Sequence, residues 1–159
     1  MTTDWSAIFA GIAALVSIIG LIYSVRQHRD NVRKEFILWA LEQMQTPTQR
    51  ENRRYIWYLN RTENKKKKQR MIAGIRKGQG PILKEYGKIR EAFALFNHIG
   101  YFWAKAGYGN MQDVSALFPQ ILTMWDISQD YIEAIRSRPN QETSFSYYEQ
   151  LALKLKKVK

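Results

Sequence analysis

The sequence predicts an all-α protein: one N-terminal transmembrane helix followed by a cytosolic helical bundle. Three observations carry that expectation. Trp5 to Val25 (WSAIFAGIAALVSIIGLIYSV) is twenty-one residues without a charge, mostly apolar, and Arg26 follows at once. Two later stretches repeat apolar residues at alternating spacings of 4 and 3, the mark of one buried helical face. The period-2 alternation of a half-buried strand appears nowhere.

At about 1.5 Å rise per residue the opening run makes a helix of about 30 Å, the thickness of a bilayer's hydrocarbon core. The preceding MTTD has no Lys or Arg, the apolar run is longer than a signal-peptide core, and Ser24-Val25-Arg26-Gln27 has no small-x-small cleavage pattern. Trp5 and Tyr23 stand near the two ends, where amphipathic rings favour the headgroup level. The chain therefore divides into a tail (1–4), a span (5–25) and a helical domain (26–159). Arg26, Arg29, Arg33 and Lys34 follow the span, with His28 among them, whereas only Asp4 and the α-amino group precede it. Positive flanks stay inside, so the expected topology is single-pass, with residues 1–4 outside and the domain in the cytoplasm. Ser6, Ala10, Ala13, Ser17, Gly20 and Ser24 are spaced 4, 3, 4, 3, 4. Close approach over small residues is the main route to helix association in lipid, so this seam is expected to pack on a second copy or another membrane subunit.

Charge is unevenly spread beyond the span. Residues 26–90 hold 18 Lys/Arg against 6 Asp/Glu, and residues 91–159 hold 7 against 7. A basic half tethered beside anionic lipid gains about 1 kcal/mol per Lys or Arg near the surface. Arg26, Arg29, Arg33 and Lys34 are the expected lipid contacts. Lys65, Lys66, Lys67, Lys68 and Arg70, with Tyr55, Trp57 and Tyr58 upstream, form a possible patch for an anionic partner, nucleic acid included. The simpler reading of the lysine run is a solvated loop.

Along the domain, Arg26 to Gln45 continues the first helix without Gly or Pro, so span and domain helix are expected to form one long rod, burying Val32, Phe36, Trp39 and Ala40. Thr46-Pro47-Thr48-Gln49 reads as a break and restart, with Thr46 as cap, Pro47 in the first turn and Gln49 closing a capping box. The second helix runs to about Asn60 and buries Tyr55, Ile56 and Leu59. A basic loop follows through Lys77, with room for a short helix over Met71 to Ile75. Gly78-Gln79-Gly80-Pro81 is a clear stop.

The third helix, about Ile82 to Ala106, carries Ile82, Tyr86, Ile89, Phe93, Phe96, Gly100 and Trp103 at 4-3 spacing. Gly100 in that row leaves room for something large opposite. Gly107 and Gly109 end it and Asn110 caps the next. The fourth, about Met111 to Arg136, has the stripe Val114, Phe118, Ile121, Trp125, Ser128, Ile132 and Ile135, with a kink expected at Pro119. Arg138-Pro139-Asn140 stops it. A last helix, about Ser144 to Lys156, buries Phe145, Tyr148, Leu151, Ala152 and Leu155. The third and fourth helices are expected to face each other, antiparallel, through their aromatic stripes.

Chemistry is sparse. Zero cysteines exclude disulfides, thiol catalysis and Cys-ligated metals. The two histidines, His28 and His98, lack the Glu-x-x-His or His-x-x-x-His spacing of helical metal sites. Asp126, Asp130 and Glu133 share one helical face that could bind a cation or accept a proton, but reads more simply as a solvated surface, with Arg136 pairing to Glu133, or as a contact for the basic half of the same chain or of a neighbour. Gly74, Gly78 and Gly80 lack phosphate-loop spacing. No enzyme activity, cofactor or metal is expected.

A lone N-terminal span, a basic helix, IREAFALFNHIGYFWAKAGYG, VSALFPQILTMWDISQDYIEAIRSRP and the ending YYEQLALKL together resemble an uncharacterised family of bacterial, single-span, membrane-anchored helical proteins, catalogued as a domain of unknown function. The shared features fall here at Gly107, Trp125, Arg136 and Leu151-Ala152. The resemblance implies an inner-membrane setting and a helical domain, with no activity attached. The functional expectation is an interaction module that oligomerises or pairs with a membrane partner, on analogy a sensor or effector in stress or phage defence. A membrane-tethered nucleic-acid or nucleotide binder and a membrane-depolarising effector are the alternatives.

Overall fold

The computed structural model describes the backbone of residues 5–78, 83–105 and 117–158, and the side chains of 14–78, 85–105, 117 and 119–157. The described chain is helical throughout, with no strand: α1 (Trp5–Gln45), α2 (Pro47–Asn60), a 3-10 turn (Thr62–Asn64), α3 (Lys65–Lys77), α4 (Leu83–Lys105), α5 (Phe118–Arg136) and α6 (Ser146–Val158). It divides into two compact units, Met1–Ile37 and Leu38–Lys159.

In the first unit every side chain from Ala14 to Asn31 is exposed. Among the described residues no helix is long and apolar enough to cross a membrane. Residues 5–13 of the uncharged run are helical, but their side chains lie outside the described set, as do those of Ser6, Ala10 and Ala13 from the small-residue seam.

In the second unit four helices close into a ring. α4 packs on α6 and α2, α5 packs on α6 and α2, and α3 covers α5 and α2 from outside. α4 and α5 are therefore diagonal partners, not the facing neighbours their stripes suggest. Their aromatic rows do meet at the ring's centre, where the Phe93 and Tyr131 centroids are 6.5 Å apart. The correction has a plain cause. A 4-3 stripe says that a helix face is buried, not which helix covers it. In a four-helix ring every stripe points to the same axis.

Tyr148 on α6 fills that axis. Its ring stacks on Phe96 at 5.1 Å, meets the edge of Trp125 at 5.1 Å and lies 6.4 Å from Phe93. Its hydroxyl donates to the Ile121 carbonyl, 3.3 Å away. Ile89, Phe93, Ile99, Ile121, Leu151 and Ala152 are fully buried around it.

α4 and α6 approach so closely that a Cβ on Gly100 would lie 2.2 Å from the Tyr147 carbonyl oxygen. The same crossing caps α6 from outside its own sequence. The chain enters α6 through Phe145 at φ 61°. Asn97 Oδ1 on α4 then accepts from the backbone N–H of Tyr147 (3.1 Å) and of Tyr148 (3.2 Å). These are first-turn donors with no partner inside the helix. Asn97→Leu strands both and is expected to cost about 1–3 kcal/mol. Asn97→Asp, which keeps the acceptor at the positive end of α6, is expected to lose far less in the same urea titration.

Other boundaries differ from the sequence reading for local reasons. Lys65 to Lys68 open α3 instead of a loop, because Met71, Gly74 and Ile75 give that helix a buried face and lysine is a good helix former. Gly78 ends it in the left-handed conformation, φ 65°, with its N–H returned to the last turn. The described α5 begins at Phe118, which places Pro119 in its first turn, where a missing N–H costs a helix least. The preceding residues 106–116, including Gly107, Gly109, Asn110 and Val114, lie outside the described residues, as do 79–82. Thr46 caps α2 as expected, its Oγ1 accepting from Gln49 N–H at 3.4 Å, but the capping box is not closed: the Gln49 amide donates instead to the Glu91 carbonyl on α4 at 3.2 Å.

Candidate functional site

The sequence-predicted cationic residues fall into two separate groups. Arg26, Arg29 and Lys34 are exposed on α1 in the first unit, while Arg33 is half-buried and reaches Asp30 at 3.5 Å, one turn away. Ser17, Gly20 and Ser24 from the seam are exposed on the same helix, and a Cβ on Gly20 would meet nothing within 4 Å.

The lysine run of α3 is not one patch. Lys68 turns inward, donates to Asn60 Oδ1 at 2.8 Å and pairs with Asp130 of α5 at 2.6 Å, with its ammonium over the Tyr131 ring. Lys67 lies over the Tyr55 and Tyr58 rings at 5.8 and 5.3 Å. Those two rings stack on one another, and the Tyr55 hydroxyl donates to Glu85 at 2.6 Å. They are thus already occupied as stacking surfaces. Lys65, Lys66 and Arg70 remain exposed.

The carboxylates of α5 are spent on the fold in the same way. Asp126 takes Lys156 at 2.6 Å and Asp130 takes Lys68. Contact with the basic half was one of the readings of this face, and the Lys68–Asp130 pair makes that contact. Arg136 does not pair with Glu133. Its Nη2 binds Glu149 on α6 at 2.8 Å and its Nε donates to the Ser144 carbonyl at 3.0 Å. The tertiary partner wins because it is half-buried and supplies a second acceptor, whereas an exposed i, i+3 pair is worth only a few tenths of a kcal/mol. Among the described residues no group of three or more His, Asp or Glu is placed to hold a metal ion. His98 is exposed on α4.

A site that the sequence reading passed over lies on α2. Arg50, Arg53, Arg54 and Trp57 stand at i, i+3, i+4 and i+7, hence on one helix face, opposite the core positions Asn52, Ile56 and Leu59. With Gln45 at the end of α1 and Pro119, Gln120, Thr123 and Met124 in the first turns of α5, they line a groove of about 440 Å³. Among the described residues its lining includes no carboxylate. Gln45 Oε1 fixes Arg50, accepting from Nε at 3.1 Å and Nη2 at 2.6 Å. Arg53 is half-buried. Its Nη2 donates to the Met44 carbonyl at 2.5 Å, and its Nη1 is buried with no partner among the described residues. Burial, and then the charge of Arg50, lower the Arg53 pKa. Trp57 is half exposed at the groove. The spacing of these four residues was legible, but the wall from α5, sixty residues on, was not.

No curated protein and no solved structure matches this chain significantly. The model of the domain-of-unknown-function family DUF4760 matches residues 6–155, nearly the whole chain and both of its compact units. The chain with the helical ring, the asparagine-capped α6 and the arginine groove of α2 is a member of the DUF4760 family.

Proposed function

We propose that residues 5–25 anchor this protein in a bacterial inner membrane and that the helical domain is an interaction module held at the cytoplasmic surface. The observation that carries the reading is the character of α1. Leu15, Val16, Ile18, Ile19, Leu21, Ile22 and Val25 are all at least 53% exposed. At about 100° per residue they cover about 220° of the helix surface, well beyond one narrow stripe, and the remaining arc holds Ser17, Gly20 and Ser24. A surface helix shows one apolar stripe, whereas a helix apolar over most of its surface requires a surrounding apolar medium or partner. The sequence extends the uncharged run back to Trp5, the length a bilayer needs. Arg26, Arg29, Arg33 and Lys34 then suit an anionic inner leaflet, and the small-residue arc suits a second helix packed alongside, from another copy or another membrane subunit.

The test is extraction and labelling. The full chain should stay in the membrane pellet through alkaline carbonate. With no native cysteine, single cysteines at Thr2 and Lys157 should label from outside and inside respectively. Release of the full chain into the carbonate supernatant would remove the proposal.

A further inference from the structure

We propose that the groove of Arg50, Arg53, Arg54 and Trp57 binds a small phosphorylated ligand that carries a flat ring, a nucleotide in chemical class. The argument starts from charge. Three guanidiniums lie within two turns of α2, and among the described residues the groove they line has no carboxylate to neutralise them. Two other half-buried cations of the domain are paired, Lys68 with Asp130 and Arg136 with Glu149. Glu51, beside Arg50 in sequence, is taken by Lys88 of α4. Arg53 has no such partner: it is half-buried, beside a like charge, with a buried Nη1 that binds nothing among the described residues. A buried cation without a counter-charge is costly, and an anion delivered into the groove offsets that cost. Guanidiniums match phosphate oxygens in a planar, bidentate geometry.

The groove is also built before any ligand arrives. Gln45 holds Arg50 through two hydrogen bonds and the Met44 carbonyl holds Arg53, so both guanidiniums are set in place. The opposite wall is the start of α5, through Pro119, Gln120 and Thr123, none of which brings a negative charge. Trp57 supplies the other half of the specificity. Its ring is not among the packed aromatic pairs of the core, it is half exposed, and it sits one turn beyond Arg53 on the same face. A ligand whose phosphates meet the arginines can lay a base against it, a contact that tolerates any base. About 440 Å³ lies within the range of small-molecule sites. The inference does not depend on where residues 5–25 reside.

The experiment uses the full chain in a sugar-headgroup detergent, which contributes no phosphate, with four probes titrated by calorimetry: ATP, inorganic pyrophosphate, adenosine and glycerol 3-phosphate. ATP is expected to bind most tightly, pyrophosphate more weakly, adenosine and the lipid-like glycerol 3-phosphate weakest. Arg54→Gln and Trp57→Leu change exposed side chains and leave the core intact, which an unchanged melting temperature confirms. Arg54→Gln should weaken ATP and pyrophosphate alike, by about tenfold for one charge-assisted contact. Trp57→Leu should weaken ATP by a similar factor and leave pyrophosphate unchanged. Arg53→Gln should weaken both phosphates further. Pyrophosphate or glycerol 3-phosphate binding as tightly as ATP, with Trp57→Leu silent, would overturn the ring assignment and with it the proposal. So would an absence of ATP binding at millimolar concentration, or ATP binding that survives Arg53→Gln and Arg54→Gln unchanged.

Discussion

Gly100→Leu is expected to abolish cooperative folding of the domain, and Gly100→Ala to cost about 3 kcal/mol or more. The Cβ of even an alanine would stand 2.2 Å from the Tyr147 carbonyl oxygen and 2.6 Å from its carbon. Both are backbone atoms, so no rotamer change relieves the clash. α4 and α6 would have to separate. That separation also pulls the Asn97 side chain from the first-turn N–H groups of α6, at 3.1 and 3.2 Å, and opens the packing of Phe96 on Tyr148. Overpacking a core usually costs about 1–3 kcal/mol where side chains can give way. Here the coupled loss of a cap and an aromatic stack carries it to the top of that range and beyond. Gly87 on the same helix is the control, since a Cβ there meets nothing within 4 Å. Gly87→Ala is expected to stabilise by up to about 1 kcal/mol through helix propensity. Urea titration of the two alanine variants side by side separates a general effect of filling a helical glycine from the close approach. Equal midpoints for both would sink the account of the α4–α6 crossing.

What the sequence made legible is what periodicity encodes. α4 and α6 lie within two residues of their expected bounds, and Ile89, Phe93, Phe96, Ile121, Ile132, Ile135, Tyr148, Leu151, Ala152 and Leu155 are buried as their spacing requires. Thr46, Pro47 and Gly78 act as stop and start signals because capping is chemistry within one turn. The failures are non-local. Nothing in the sequence around Asn97 marks it as a cap, and only the arrival of α6 fifty residues later turns it into one. Arg136 had a plausible partner in Glu133 and a better one in Glu149 that no spacing connects. Composition misled once: four lysines in a row suggested a loop, yet the three apolar positions that follow give the segment enough buried surface to be helix from Lys65 onward. The groove of α2 was half legible, as an i, i+3, i+4, i+7 row of arginines and tryptophan. Its meaning depended on which acids stay away, and that is a property of the packed structure.

Tyr148 is expected to govern both the stability of the ring of helices and its response to alkali. Tyr148→Ala removes a fully buried ring that touches Phe93, Phe96 and Trp125, helices α4 and α5 together, and should cost about 3–5 kcal/mol. Tyr148→Phe keeps the ring and loses one hydrogen bond to the Ile121 carbonyl, so at neutral pH it should cost about 1 kcal/mol. Neither variant carries the phenol, so both differ from the wild type in their response to high pH. Burial pushes the Tyr148 pKa well above its ordinary value, and burial likewise raises those of Tyr55 and Tyr131. In the unfolded chain a tyrosine releases its proton near about pH 10, while the folded chain still holds it. Above that pH the folded state binds more protons than the unfolded state, so stability falls as pH rises. Each fully buried tyrosine takes away up to about 1.4 kcal/mol per pH unit. Stability gained from keeping these phenols neutral is thus complete below about pH 10 and lost progressively above it. Urea midpoints measured at pH 7, 9, 10.5 and 11 should stay level between the first two and drop steeply after. Tyr148→Phe, which cannot titrate, should start lower at pH 7 and decline less, so that the wild-type and variant curves converge or cross near pH 11. Lysine deprotonation acts on both proteins equally, and their difference isolates the phenol. Parallel curves across the whole range would mean that Tyr148 reaches solvent when it ionises, and that the centre of the ring is not closed to water.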